Sequence, residues 1–260
     1  MTDAAKPALP PMPTVREISF DDLREVLSLG WRDFRCAPGF GLFFGSVYAF
    51  GGLALWLLLT RWDMPWLMLP LAMGFPLLGP FVAAGLYDVS RRLARGDKLR
   101  WGQVLGVIAA QRKRELGWMA FVTLFIFWIW VYQVRLLLAV IMGHLSFSSV
   151  SRFLDLLVST VEGWTFLFVG TGVGAVLSLV LFASTVVAIP LLLDRDRDFV
   201  TAVITSWQVV IRSPVPMLAW GAMVTAAVMG SIAFGFVGLI VTLPVLGHAT
   251  WHLYVRAVAP

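Results

Sequence analysis

His248 and His252 stand four residues apart, a spacing that puts both imidazoles on one face of a helix. Such a pair can take part in a zinc or copper site, which needs a third and usually a fourth ligand. The third histidine, His144, is separated from the pair by the topology derived below. No glutamate stands between the pair, as a zinc-protease helix would require. His248 and His252 are the metal-site candidates of this chain. Hydrogen bonding near the end of a helix is the alternative reading.

Asp194, Asp196 and Asp198 alternate with arginines and superficially resemble a calcium loop. Counted from Asp194, the sixth position is Phe199 rather than glycine and the twelfth is Thr205 rather than glutamate, so an EF-hand is excluded. The run reads as a charged turn with a helix N-cap, or as a docking site for a partner. Gln133 and Arg135 are the polar residues nearest the interior of an apolar stretch, and Arg135 is placed to snorkel. Gly170, Gly172 and Gly174 look like part of a nucleotide fingerprint, but no strand precedes them. Close helix packing is the expectation there and at Gly41, Gly45, Gly51 and Gly52. No Ser-His-Asp set or carboxylate pair is expected to assemble on one side, so no catalytic residue, no cofactor and no enzyme activity are expected.

The elements that carry these residues follow from composition. Of 260 residues 59% are hydrophobic and only 13% are charged, where a soluble domain would carry about 25%. Phe40–Thr60, Pro65–Tyr87 and Gly163–Leu193 contain no Lys, Arg, Asp, Glu or His. Apolar runs of about 20 residues cross a bilayer as helices, because lipid offers the backbone no other hydrogen-bond partner. The fold class expected is all-α, a polytopic transmembrane bundle of about six spans. The spans are Phe40–Thr60, Pro65–Tyr87, Leu116–Gln133, Trp164–Ile189, Met217–Gly235 and Phe236–Tyr254, with a tight turn around Gly230–Gly238. Residues 1–14, with Pro7, Pro10, Pro11 and Pro13, read as a disordered tail. Residues 15–260 read as one integral membrane domain with an uncleaved first span.

Net charge is +5. The basic residues flank the spans, which argues for a topology signal and against a nucleic-acid partner. All Lys and Arg except Arg61, Arg135 and Arg152 fall on one side of the six-span scheme. By the positive-inside rule that side, with both termini, is cytoplasmic. Trp56, Trp62 and Trp66 fit an aromatic belt on the other side. The lone Cys36 excludes an intrachain disulfide.

Three amphipathic stripes lie on the basic side: Phe20, Leu23, Leu27, Trp31, Phe34; Trp101, Val104, Leu105, Ile108, followed by Arg112, Lys113, Arg114; and Phe199, Val203, Trp207, Val210, Ile211. Helices of this kind lie in the membrane interface or pack on the end of the bundle. A fourth, Val150–Thr160, lies on the other side. Aligning Trp31 with Trp207 also aligns Pro38 with Pro214. Proline-leucine elements recur at Phe75–Gly79, Ala188–Leu193 and Leu243–Gly247. Together they suggest three parallel units, 19–98, 99–197 and 198–258. Pro70, Pro76, Pro80, Pro190 and Pro244 are expected to bend their helices.

The strings FGLFFGSVYAFGG (Phe40–Gly52), FPLLGPFVAAGLYDVSRRLARG (Phe75–Gly96), PLLLDRDRDFVTAVITS (Pro190–Ser206) and LPVLGHATWHLY (Leu243–Tyr254) resemble a bacterial integral-membrane family, domain-of-unknown-function family 2189. The resemblance runs from about Val15 to Val258. It implies a multi-span protein of the bacterial inner membrane and supplies no catalytic residues. Some members carry a cytochrome-oxidase-subunit-like label, and this chain departs from it, having no histidine deep in a span. Two functions are expected from different classes. One is a non-enzymatic scaffold, assembly or accessory protein, with membrane lipids and a membrane-protein partner or a second copy as partners. The other is a transporter or channel for a small or apolar solute.

Overall fold

A computed structural model describes residues 12–61, 68–111, 115–143 and 150–259. The expected tail up to residue 11, Trp62, Trp66, the Arg112–Arg114 cluster and His144 lie outside the described residues. The elements are α1 (Phe20–Cys36), α2 (Pro38–Thr60), α3 (Met68–Arg95), α4 (Trp101–Gln111), α5 (Leu116–Met142), α6 (Val150–Ser159), α7 (Val161–Thr185), α8 (Ala188–Asp194), α9 (Phe199–Arg212), α10 (Pro214–Ala233) and α11 (Leu239–Ala257). The fold is all-α, a membrane bundle, as its composition requires.

Among the described residues, four segments are long and apolar enough to cross a membrane: Pro38–Leu58, Leu116–Met142, Val161–Asp194 and Pro214–Ala233. The other two expected spans, α3 and α11, have 28 and 19 residues. Their last turns carry Asp88, Arg91, Arg92 and Arg95, and His248, His252 and Arg256, which lowers their apolarity. Boundaries shift from expectation. α5 continues past Gln133 to Met142, and α3 runs on through Pro70, Pro76 and Pro80 to Arg95. The fourth crossing breaks after Thr185, and its proline-leucine element becomes the separate α8, with Ala188 to Leu193 all buried. The α10–α11 turn is tight, with positive φ at Gly235 and Phe236. The Phe236 ring seats where a Cβ on Gly52 would lie.

The junctions α1–α2 and α9–α10 are built alike. Ser19 accepts from the Asp22 amide at 3.2 Å and starts α1. Asp198 accepts from the Thr201 amide at 2.9 Å and starts α9. Each helix stops at one residue outside the helical region, Ala37 (φ −135°, ψ 54°) and Ser213 (φ −130°, ψ 59°). Proline then opens the next helix in both cases, where its missing N–H costs nothing.

Most of each stripe packs on the bundle: Leu23, Leu27 and Phe34 of α1, and Phe199, Val203, Trp207 and Val210 of α9. On α1 the buried residues are Leu23, Val26, Gly30, Asp33 and Phe34, while Phe20 and Trp31 are exposed. On α9 they are Ala202, Thr205, Ser206, Val209 and Val210, and Ile211 is exposed. Gly30, Asp33, Ala202, Thr205 and Ser206 join the apolar residues on these buried faces. On α4, Val104 is buried and Leu105 is exposed, while Trp101 stacks on Phe40 with ring centroids 4.0 Å apart.

Packing follows an order. α11 lies against α1 and α2, α3 against α4 and α5, and α7 against α5 and α9. The two ends of the chain meet. Val15 and Val258 form an antiparallel bridge, with Arg16 N–H donating to Ala257 O at 2.8 Å and Ala259 N–H to Thr14 O at 2.9 Å. Arg212 donates to Val15 O, Arg195 to Ala259 O, and the Ile18 amide to Ser213 Oγ. Both ends of the described chain thus sit together at the basic end of the bundle.

Candidate functional site

The polar side chains that sequence scattered along the chain converge where α1, α3 and α11 cross. Gly30 makes the crossing close: a Cβ there would lie 2.6 Å from Val245 O and 2.7 Å from the Ala249 amide nitrogen. One turn further along α1, Asp33 is only 1% exposed. Its carboxylate meets His252 Nε2 at 2.7 Å. His248, a turn deeper on the same face of α11, brings Nδ1 to 2.8 Å from Ser90 Oγ on α3, and its Nε2 is buried without a partner.

Burial alone would raise the Asp33 carboxyl, since it disfavours the charged form. The hydrogen bond and charge of His252 and the Ser90 hydroxyl outweigh that, and Asp33 is held below the ordinary carboxylate range. Arg32 approaches the same carboxylate at 3.4 Å from the exposed side.

A second layer lies beside the first. Asp88 on α3 is fully buried and is paired with Arg91 and, at 2.7 Å, with Arg92. Arg91 also donates to Leu193 O at the end of α8, and Arg92 to Gln103 on α4. Tyr254 donates to Asp194 at 2.9 Å, and Arg95 stands 3.6 Å from that carboxylate. Arg256 pairs with Asp22 and Glu25 of α1. Glu115 of α5 accepts from the Phe199 amide at the start of α9. Each bond joins separate elements or ties down a helix terminus, so the layer acts as a clasp.

The two histidine candidates therefore share a helix face and a neighbourhood, and each nitrogen in contact has a protein partner. Among the described residues no three His, Cys, Asp or Glu side chains converge as metal ligands. A serine, a histidine and an aspartate do meet on one side, contrary to expectation. Ser90 holds His248, Asp33 holds His252, and the Ser90 hydroxyl also reaches Asp33, with both Ser90 and His248 fully buried. The aspartate run divides its labour: Asp198 caps α9, and Asp194 takes Tyr254. Gln133 has both amide atoms buried and unpartnered, while Arg135 is exposed on the next turn of the α5 surface.

Asp33, Asp88, Ser90 and Tyr254 were missed by sequence reasoning. Leu23, Val26, Gly30 and Asp33 recur at three- and four-residue steps, a helical face that a purely apolar stripe overlooks. The glycines also differ. Gly41 and Gly45 abut α11, with a Gly45 Cβ placed 2.5 Å from Ile240 O. Around Gly172 there is open space, and Gly170 and Gly174 have only ordinary contacts, so close packing was a misreading for α7.

Long apolar helices, interfacial helices and a one-sided basic clasp define a polytopic helical membrane protein. Residues 68–194 match the family described as a predicted integral membrane protein, DUF2189. That segment is just under half of the chain's length. The flanks from Val15 and to Val258, where resemblance was also expected, lie outside the match. No curated protein and no solved structure matches the chain.

Proposed function

We propose that this chain is a non-enzymatic scaffold, assembly or accessory protein of the bacterial inner membrane, with both termini in the cytoplasm. The observation that supports it is the clasp. Polar groups at the basic end are spent on one another, tying α1, α3, α8, α9 and α11 into a stiff platform. The exposed basic residues of that end, Arg24 and Arg35 among them, suit a partner docked from the cytoplasm. Orientation rests on the charge asymmetry of the sequence. The three-unit organisation, 19–98, 99–197 and 198–258, belongs to the same proposal, and the matching α1–α2 and α9–α10 junctions support it.

Purification of the tagged full chain in mild detergent tests this reading. It expects a protein partner or a second copy at fixed stoichiometry, released by Arg24→Glu together with Arg35→Glu. A monomer that carries solute across proteoliposomes would contradict it. That outcome would support the second reading, a transporter or channel for a small or apolar solute, which draws on the apolar cavity between α7 and α10.

A further inference from the structure

The packing order is cyclic. In each stretch an interfacial helix lies against the crossing that ends the preceding stretch: α4 on α3, α9 on α7 and α8, and α1 on α11. The first crossing of each stretch should then pack on the same neighbour. α5 does so on α3, and α2 does so on α11. The third instance, α10 on α7, is not closed in this way. The two helices approach through side chains, with the Phe182 ring 3.7 Å from where a Gly221 Cβ would lie. Between them is a half-open cavity of about 570 Å³, lined by Ala175, Leu179, Phe182, Leu218, Ala222 and Val224 among others.

We propose that this open junction is the seat of one acyl chain of a phospholipid from the leaflet at the basic end. The dimensions select the occupant. Lining residues on α7 run from Ala175 to Thr185, about 15 Å along the axis at 1.5 Å per residue. A volume of 570 Å³ over that length gives a cross-section of roughly 40 Å², about half that of a helix 10 Å across. The space matches a hydrocarbon chain more closely than a further helix. Its lining is mostly apolar, with Ser178, Thr185 and Thr225 as its hydroxyl residues. The Thr185 and Thr225 hydroxyls donate to Leu181 O and Gly221 O of their own helices.

Placement selects the leaflet. The lined part of α7 is its last three turns before α8, and that of α10 runs from Leu218 to Thr225, one to three turns after Pro214. α9 joins both at that end, with Trp207 Nε1 donating to Ser184 Oγ at 3.1 Å and Arg212 exposed on its last turn. A phosphate at this level meets the exposed Arg212, whose guanidinium also donates to Val15 O, and this single cation supplies the charge complementarity. Lipid tails are as apolar as the cavity, so retention rests on close van der Waals packing and on the headgroup rather than on a hydrophobic driving force.

The test is native mass spectrometry of the full chain after extensive detergent washing. One phospholipid per chain is expected to remain bound. Ala222→Phe, which fills the cavity, is expected to lower the retained lipid by about tenfold or more. Gly172→Leu, placed in open space on α7, is expected to leave it unchanged. Equal retention in the two variants, or none in the wild type, overturns the proposal. Should Ala222→Phe fail to fold, a phospholipid with a photoreactive group in its acyl chain serves on the wild type. Labelling concentrated on Phe182 and Leu218 over the exposed Phe168 supports the seat. Equal labelling, or a cross-link between two copies through α7 and α10, overturns it.

Discussion

The α2–α11 and α7–α10 junctions hold corresponding places in the packing order, yet one is closed backbone to backbone and the other is held apart. At the first, Gly45 faces the Ile240 carbonyl with no room for a methyl group. At the second, Gly221 faces an aromatic ring at an ordinary contact distance. Both helices offer a glycine, so composition does not decide closure. What differs is the clasp. On the α2–α11 side, Asp33–His252 and the Arg256 pairs draw α1 onto α11 beside the junction. On the other side, α10 buries Met217 and Trp220 and leaves the Gly221 face to the cavity.

Four substitutions break or sharpen that contrast, each read as thermal and denaturant unfolding in one detergent. Asp33→Ala has the largest expected effect, a loss of about 3–5 kcal/mol, because it leaves the partners of a buried charge unpaired. An unchanged melting temperature would remove the clasp from the account. The same group gives a pH signature. Its folded pKa lies below its unfolded value, so its contribution is complete above about pH 4 and is lost as pH falls through the lowered pKa. Wild type is therefore expected to lose stability in that acid window by more than Asp33→Asn does.

Gly45→Ala comes next, at about 1–3 kcal/mol, since the added methyl must push α2 off α11. Asp198→Ala removes the α9 cap and is expected to cost about 1 kcal/mol. Gly221→Ala is the smallest, within about 0.5 kcal/mol of wild type apart from helix propensity gains. If Gly45→Ala and Gly221→Ala destabilise equally, the contrast between the junctions fails.

The all-α membrane fold was legible because lipid leaves few choices: uncharged runs of the right length must be helices. The cap at Asp198 and the prolines at 38 and 214 were legible for a similar local reason, since each acts within one turn of itself. The site was only half legible. His248 and His252 announced a helix face, but their partners Ser90 and Asp33 lie 158 and 219 residues away, and no local rule links them. The helix faces were legible in their apolar part, Leu23 and Phe34 on α1 and Val210 on α9, but not in Gly30, Asp33, Thr205 and Ser206, which share those faces and carry no apolar signal.

The bundle is locked at its basic end and across α2–α11 and is left open between α7 and α10. Cryo-electron microscopy of the full chain in lipid nanodiscs, at a resolution that shows side chains, tests it most directly. The account predicts Asp33 in contact with His252, Gly45 against Ile240, and α7 and α10 standing apart with chain-like density between them. Direct packing of α10 on α7, or Asp33 turned away from α11, would contradict it.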